Sequence, residues 1–224
     1  MTFEQIINEI KKHASRKNVE GMARFGINPK NTLGVSMPVL RSLAKIIGKD
    51  QKLSKELWQA KIHEARILAA LIGEPQLVGA RQMESWVKDF DSWDVCDQVC
   101  LNLFGKTPFA WPKAIEWSQR RGEFVKRAGF VLMAVLAVHD KKAADKEFLK
   151  FFPYLKKEAI DNRNFVKKAV NWALRQIGKR SHYLSIRVIK LCEEIQKIDS
   201  PTSKWIAADA LRELRVKSYK LAKK

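Results

Sequence analysis

The sequence predicts an all-α fold, a solenoid of stacked helix pairs (an α-α superhelix) with a concave basic face. Apolar residues recur at helical spacing along the whole chain, and no run alternates with period two for the length of a strand. Serine starts and glycine stops punctuate that pattern at short intervals. Two short segments also return further along the chain, the mark of an internal repeat.

Taken in order, helices are expected near 3–17, 36–48, 53–60, 61–73, 75–89, 93–104, 108–118, 122–138, 144–152, 154–161, 164–178, 181–197 and 201–216. Ser36 before Met37-Pro38, Ser92 before Trp93-Asp94 and Ser200 before Pro201 read as N-caps followed by an early proline or acid. Gly48, Gly73, Gly105 and Gly178 each close an apolar-periodic run. Connections are short, so neighbours pack as antiparallel hairpins. Phe124-Val-Lys-Arg-Ala128 returns 41 residues on as Phe165-Val-Lys-Lys-Ala169, and Ala173-Leu-Arg175 returns 37 residues on as Ala210-Leu-Arg212. A period of roughly 40 with two helices per unit is the spacing of HEAT-like repeats. An irregular bundle is the plainer alternative; the solenoid is the favoured reading. One domain over 1–224 is expected, because a chain of this length buries a single core.

Charge is the feature that departs from average. Forty-three Lys and Arg against 24 Asp and Glu leave +19, which destabilises a compact state unless a polyanion offsets it. Double-stranded DNA is the expected partner. The longest apolar stretch, Gly129 to Val138, is too short for a bilayer, so no membrane partner is expected. The N-terminus lacks the apolar segment of a secretory signal, and a cytoplasmic location is expected. Cys96, Cys100 and Cys192 read as small buried hydrophobes in a reducing compartment. Neither they nor the scattered His13, His63, His139 and His182 have zinc-ligand spacing, so no metal and no cofactor is expected. Nothing points to an oligomer, and a monomer is expected.

Three segments carry chemistry. On helix 164–178, Val166, Val170, Ala173 and Ile177 form a core stripe, while Lys168, Trp172, Arg175 and Lys179 cluster opposite it. A tryptophan among cations suits contact with a sugar or base beside phosphates; packing against a neighbouring helix, with the lysines covering it, is the other reading. Helix 122–138 carries no charge between Val125 and Val138 except Lys126 and Arg127. It must therefore be central, with that pair either facing DNA or bridging to a carboxylate; an acid-held arginine can do both. On helix 93–104, Cys96, Val99, Cys100 and Leu103 share the core face, with Trp93 and Asp97 together on its flank. Asp94 reads as a first-turn acid complementing the helix dipole. A carboxylate at Asp97 weakens polyanion binding, so it calls for another reason: chemistry on a cationic centre, or pairing with Arg127.

Trp93 to Asp97 (WDVCD), Lys126-Arg127-Ala128 and Lys167 to Arg175 (KKAVNWALR) resemble three signature segments of the HEAT-like alkylpurine DNA glycosylases, the bacterial DNA alkylation repair family. The resemblance spans essentially the whole chain, including Met22-Ala-Arg24 and Leu33-Gly-Val35. It implies that Trp93 and Trp172 flank the lesion deoxyribose, that Asp97 is the catalytic carboxylate, and that Arg127 holds the backbone near the lesion. An N3- or N7-alkylated purine is already cationic, so its glycosidic bond breaks without a strong general acid. Positive charge then gathers on the sugar, where a carboxylate and tryptophan faces stabilise it. The resemblance also implies monofunctional excision without flipping the base into a pocket. Phe25, a candidate DNA contact, stands where the family often has tyrosine after the arginine. Gly26 and Pro29 are expected to end that N-terminal helix within about one turn. Gln176 replaces a common Glu at an expected surface position. A DNA-binding protein that has lost glycosylase activity is the alternative, and a peptide-binding scaffold would need an acidic partner.

Overall fold

The computed structural model describes the backbone of residues 1–221 and the side chains of residues 1–216. Helices account for all the regular structure; no strand occurs among the described residues. None of these helices is long and apolar enough to cross a membrane. The chain divides into two compact units, residues 1–107 and the chain from Pro108 onward.

The first unit holds α1 (Phe3–Lys12), α2 (Arg16–Arg24), α3 (Met37–Ile47), α4 (Gln51–Gln59), α5 (His63–Ile72), α6 (Ala80–Lys88) and α7 (Trp93–Asn102). Its centre is α5, buried at every position except Leu71, with α1, α3, α4 and α7 packed around it. Trp58 of α4 stacks on Trp86 of α6, centroids 4.1 Å apart and planes 3° from parallel. The expected helix over 3–17 is two helices, because Ser15 starts a new one: its hydroxyl accepts from Asn18 N. The backbone N–H of Ser15 is meanwhile drawn off to the Leu33 carbonyl. The expected helix over 75–89 likewise begins as a separate 3-10 turn at Pro75–Leu77, where proline removes a donor. Gly48 closes α3 at φ 76, a conformation side chains resist.

The second unit holds α8 (Ala110–Ser118), α9 (Glu123–His139), α10 (Phe152–Glu158), α11 (Asn164–Arg180), α12 (His182–Gln196) and α13 (Pro201–Leu221). Helix α9 is buried continuously from Lys126 to Ala137 and packs on α8 and α11. The repeat seen in sequence is a packing repeat. Phe124 and Phe165, which open its two copies, lie with ring centroids 5.5 Å apart. Helix α11 in turn packs on α12 and α13. Gly178 does not end α11, contrary to the sequence expectation; the helix runs on to Arg180. Leu214 of α13 fills the space above it, and a Cβ there would lie 2.8 Å from Leu214 Cδ1.

Gly129 sets the tightest approach in this unit. A Cβ on it would lie 2.3 Å from Ser118 N and 2.9 Å from the Ala114 carbonyl oxygen, both backbone atoms of α8. Helix propensity favours alanine over glycine by about 1 kcal/mol, yet backbone cannot yield as a side chain can. Gly129→Ala is therefore expected to destabilise the protein by about 3 kcal/mol, read as a lower denaturant midpoint.

Candidate functional site

Helix α7 is built as its sequence predicts: Cys96, Val99, Cys100 and the following Leu103 are fully buried, and Trp93 and Asp97 are half-buried on the flank. Ser92 precedes the helix, yet its hydroxyl makes no cap bond. It accepts instead from Asn28 N at 2.9 Å, tying the start of α7 to the loop after α2. That loop begins where expected: α2 stops at Arg24, and Gly26 follows at φ 76. Phe25 stands 75% exposed at the break, and its carbonyl accepts from Trp93 Nε1 at 3.1 Å. Trp93 and Phe25 are thus brought together.

Asp94 does more than complement a dipole. Its Oδ2 lies 2.8 Å from Nε2 of His63, a buried residue of α5. Burial alone would lower the His63 pKa, but the Asp94 hydrogen bond and the charges of Asp94, Glu64 and Asp91 outweigh it and raise the value above the ordinary 6.5. Folding therefore favours protonated His63. The stabilisation is complete below about pH 6.5 and is lost as pH rises through the raised value. His63→Gln is expected to flatten the corresponding fall in Tm as pH rises above about 6.5, followed by thermal denaturation.

The neighbouring Glu64 is fully buried and accepts backbone N–H bonds from Leu33 (3.0 Å), Gly34 (2.6 Å) and Val35 (3.2 Å). It anchors an extended segment that, with α2, α5 and the start of α7, walls a cavity of about 740 Å³. Neither His63 nor Glu64 stands out in sequence; each partner lies some 30 residues away. Only folding brings them together.

In the second unit the charged residues of α9 turn inward. Lys126 is 9% exposed and donates to Glu158, with a second bond to Asp161 at 3.1 Å. Burial would raise the Asp161 pKa, but hydrogen bonds from Arg163 and Lys126 hold it at about 2. Lys126, expected at the DNA, is therefore committed to this buried cluster and leaves the set of candidate contacts. Arg127 is 6% exposed and donates from Nη1 to the Phe165 carbonyl at 2.6 Å, fixing the first turn of α11.

Helix α11 follows its predicted wheel. Val166, Val170, Ala173 and Ile177 are fully buried, Lys168 is exposed, and Trp172, Arg175 and Lys179 are half-buried. Arg175 and Lys179 both reach Glu213 at 2.7 Å. Burial would raise the Glu213 pKa, but these bonds lower it. Gln176 is not simply surface. With its amide turned to face two donors, its oxygen accepts from Trp172 Nε1 at 3.0 Å and Lys179 Nζ at 3.1 Å. The indole edge is thereby fixed, with the side chain half-buried. No group of three His, Cys, Asp or Glu suited to a metal occurs among the described residues.

The family described as DNA alkylation repair enzyme matches residues 6–214. No curated protein matches in sequence. A solved structure matches with 17% identity and a TM-score of 0.79, covering 95% of both chains. It belongs to a family of proteins related to the HEAT-like repeat DNA glycosylases with affinity for branched DNA structures. That likeness establishes a HEAT-like repeat fold. An engineered protein gives 14% identity and a TM-score of 0.43, too low to indicate a common fold.

Proposed function

We propose, from the premise that this chain belongs to the DNA alkylation repair enzyme family, that it binds duplex DNA and hydrolyses the N-glycosidic bond of cationic N3- or N7-alkylated purines. The observation that carries this reading is the flank of α7. Trp93 and Asp97 lie one helical turn apart, both half-buried, above a core face that is fully buried. A carboxylate held there suits an oxocarbenium-like sugar, whose positive charge peaks in the transition state. Trp93 would offer its ring face to the deoxyribose beside Asp97, and Trp172 would offer an aromatic surface to DNA on the second unit. Lys168, with Arg175 and Lys179 from their half-buried positions beside Glu213, would hold backbone phosphates, as would cations elsewhere in a chain of +19. Arg127, buried like Lys126, would act by fixing the first turn of α11. The base leaves without a general acid because it already carries the charge.

One observation favours a second reading, DNA binding without excision. Helix α2 is short, ends at Arg24 and leaves Phe25 exposed, and the similar solved protein comes from a family with affinity for branched DNA. Incubating stoichiometric protein with methylated duplex DNA and quantifying released 3-methyladenine and 7-methylguanine separates the two. Release supports the enzyme; binding without release leaves the second reading. In either case log K should fall linearly with log salt, by about 0.9 per phosphate neutralised. A salt-independent affinity would remove DNA as the partner.

A further inference from the structure

The cavity in the first unit has a composition unlike a peptide groove. Its floor is apolar, from Ile27, Val35 and Ile67, all buried. Phe25 and Trp93 stand at its edge, and the Trp93 indole is held by its Nε1 bond to the Phe25 backbone carbonyl. Its wall includes Asp94, whose carboxylate is oriented by His63. Lys17 and Arg24, both exposed, also line it, and neither has an ion-pair partner among the described residues. Glu20 also lines the cavity, its charge offset by Arg16 at 3.3 Å.

We infer that this cavity takes one unstacked nucleobase of DNA, the phosphates on either side lying against Lys17 and Arg24. Stacking on aromatic faces combined with a cationic rim is how proteins hold unpaired bases without reading sequence. A space of about 740 Å³ lies within the range of small-molecule pockets and has room for a base together with its sugar. The oriented Asp94 carboxylate adds a hydrogen-bond acceptor for base N–H groups, which a purely apolar ligand would leave unused. This site shares Trp93 with the proposed excision site but takes its base beside Asp94 rather than Asp97, and it serves recognition of junctions, bulges or frayed ends, where a base is already out of the stack. The inference rests on the DNA-binding reading above.

Gly21 provides the test. It lines the cavity, sits within α2 at an ordinary helical φ, and a Cβ there meets nothing within 4 Å. Gly21→Leu should therefore plug the cavity without straining the helix. Affinity is measured by anisotropy for a duplex, the same duplex with a single bulged 2-aminopurine, and the same duplex with an abasic bulge. Wild type is expected to prefer the bulged base over the abasic bulge by roughly tenfold, with a change in 2-aminopurine fluorescence. Gly21→Leu is expected to lose that preference while keeping wild-type duplex affinity, which also reports correct folding. Equal affinity for base and abasic bulges, or a full preference retained by Gly21→Leu, overturns the cavity assignment alone. Failure to bind any of the three DNAs overturns the DNA-binding reading and this inference with it.

Discussion

Replacing Asp97 by asparagine is expected to slow release of methylated purines by roughly 10²-fold or more in single turnover. The substitution keeps the size and planar shape of the side chain, so α7 and its buried face of Cys96, Val99 and Cys100 should be undisturbed. What it removes is the negative charge, whose value is greatest when the sugar is most positive. A charge that acts only in the transition state affects the chemical step and leaves ground-state binding largely alone. Duplex affinity should hold or rise slightly, since one repulsion against phosphate disappears. Purine release as fast as wild type would take Asp97 out of the chemistry. Lower affinity with an unchanged single-turnover rate would make it a structural acid.

Truncating Glu64 to alanine is expected to cost about 3–5 kcal/mol of stability, read from denaturant unfolding. Its carboxylate is fully buried and serves the N–H groups of Leu33, Gly34 and Val35. Alanine leaves all three without their acceptor, and each donor orphaned away from water costs about 1–3 kcal/mol. The segment cannot relax cheaply. Gly34 sits at φ +78, and a Cβ there would lie 2.3 Å from the Ser15 carbonyl oxygen; its own carbonyl accepts from Asn18 Nδ2 at 2.8 Å. Loss of the anchor should therefore loosen α2 as well, seen as faster amide exchange at Gly34 and Val35. Glu64→Gln keeps one acceptor oxygen and should fall between wild type and alanine. A full-strength fold in Glu64→Ala would show that water or another group takes up these donors.

Much of the architecture was written in periodicity. The buried stripes of α7 and α11 follow directly from apolar residues every three or four positions, because one face of a helix must leave water. The repeat of Phe124 at Phe165 points to stacked units, and the two rings lie against each other between α9 and α11. The helical wheel puts Trp93 and Asp97 beside the core face of α7 and Trp172 and Lys168 away from that of α11, and their half-buried or exposed side chains agree with it. Composition alone gives the net charge of +19, which favours a polyanionic partner.

Tertiary structure decided which charges are available. A wheel gives the direction in which Lys126 points, but not that Glu158 and Asp161 wait there to bury its ammonium. Nor does it give the hold of Gln176 on the Trp172 indole, or the pairing of His63 with Asp94. These bonds join residues on different helices or one turn apart by a rotamer choice, and their partners are set by packing distances of a few ångströms. The hydrophobic effect is non-directional and leaves its record in pattern. Hydrogen bonds and ion pairs depend on geometry, which exists only once the chain is folded.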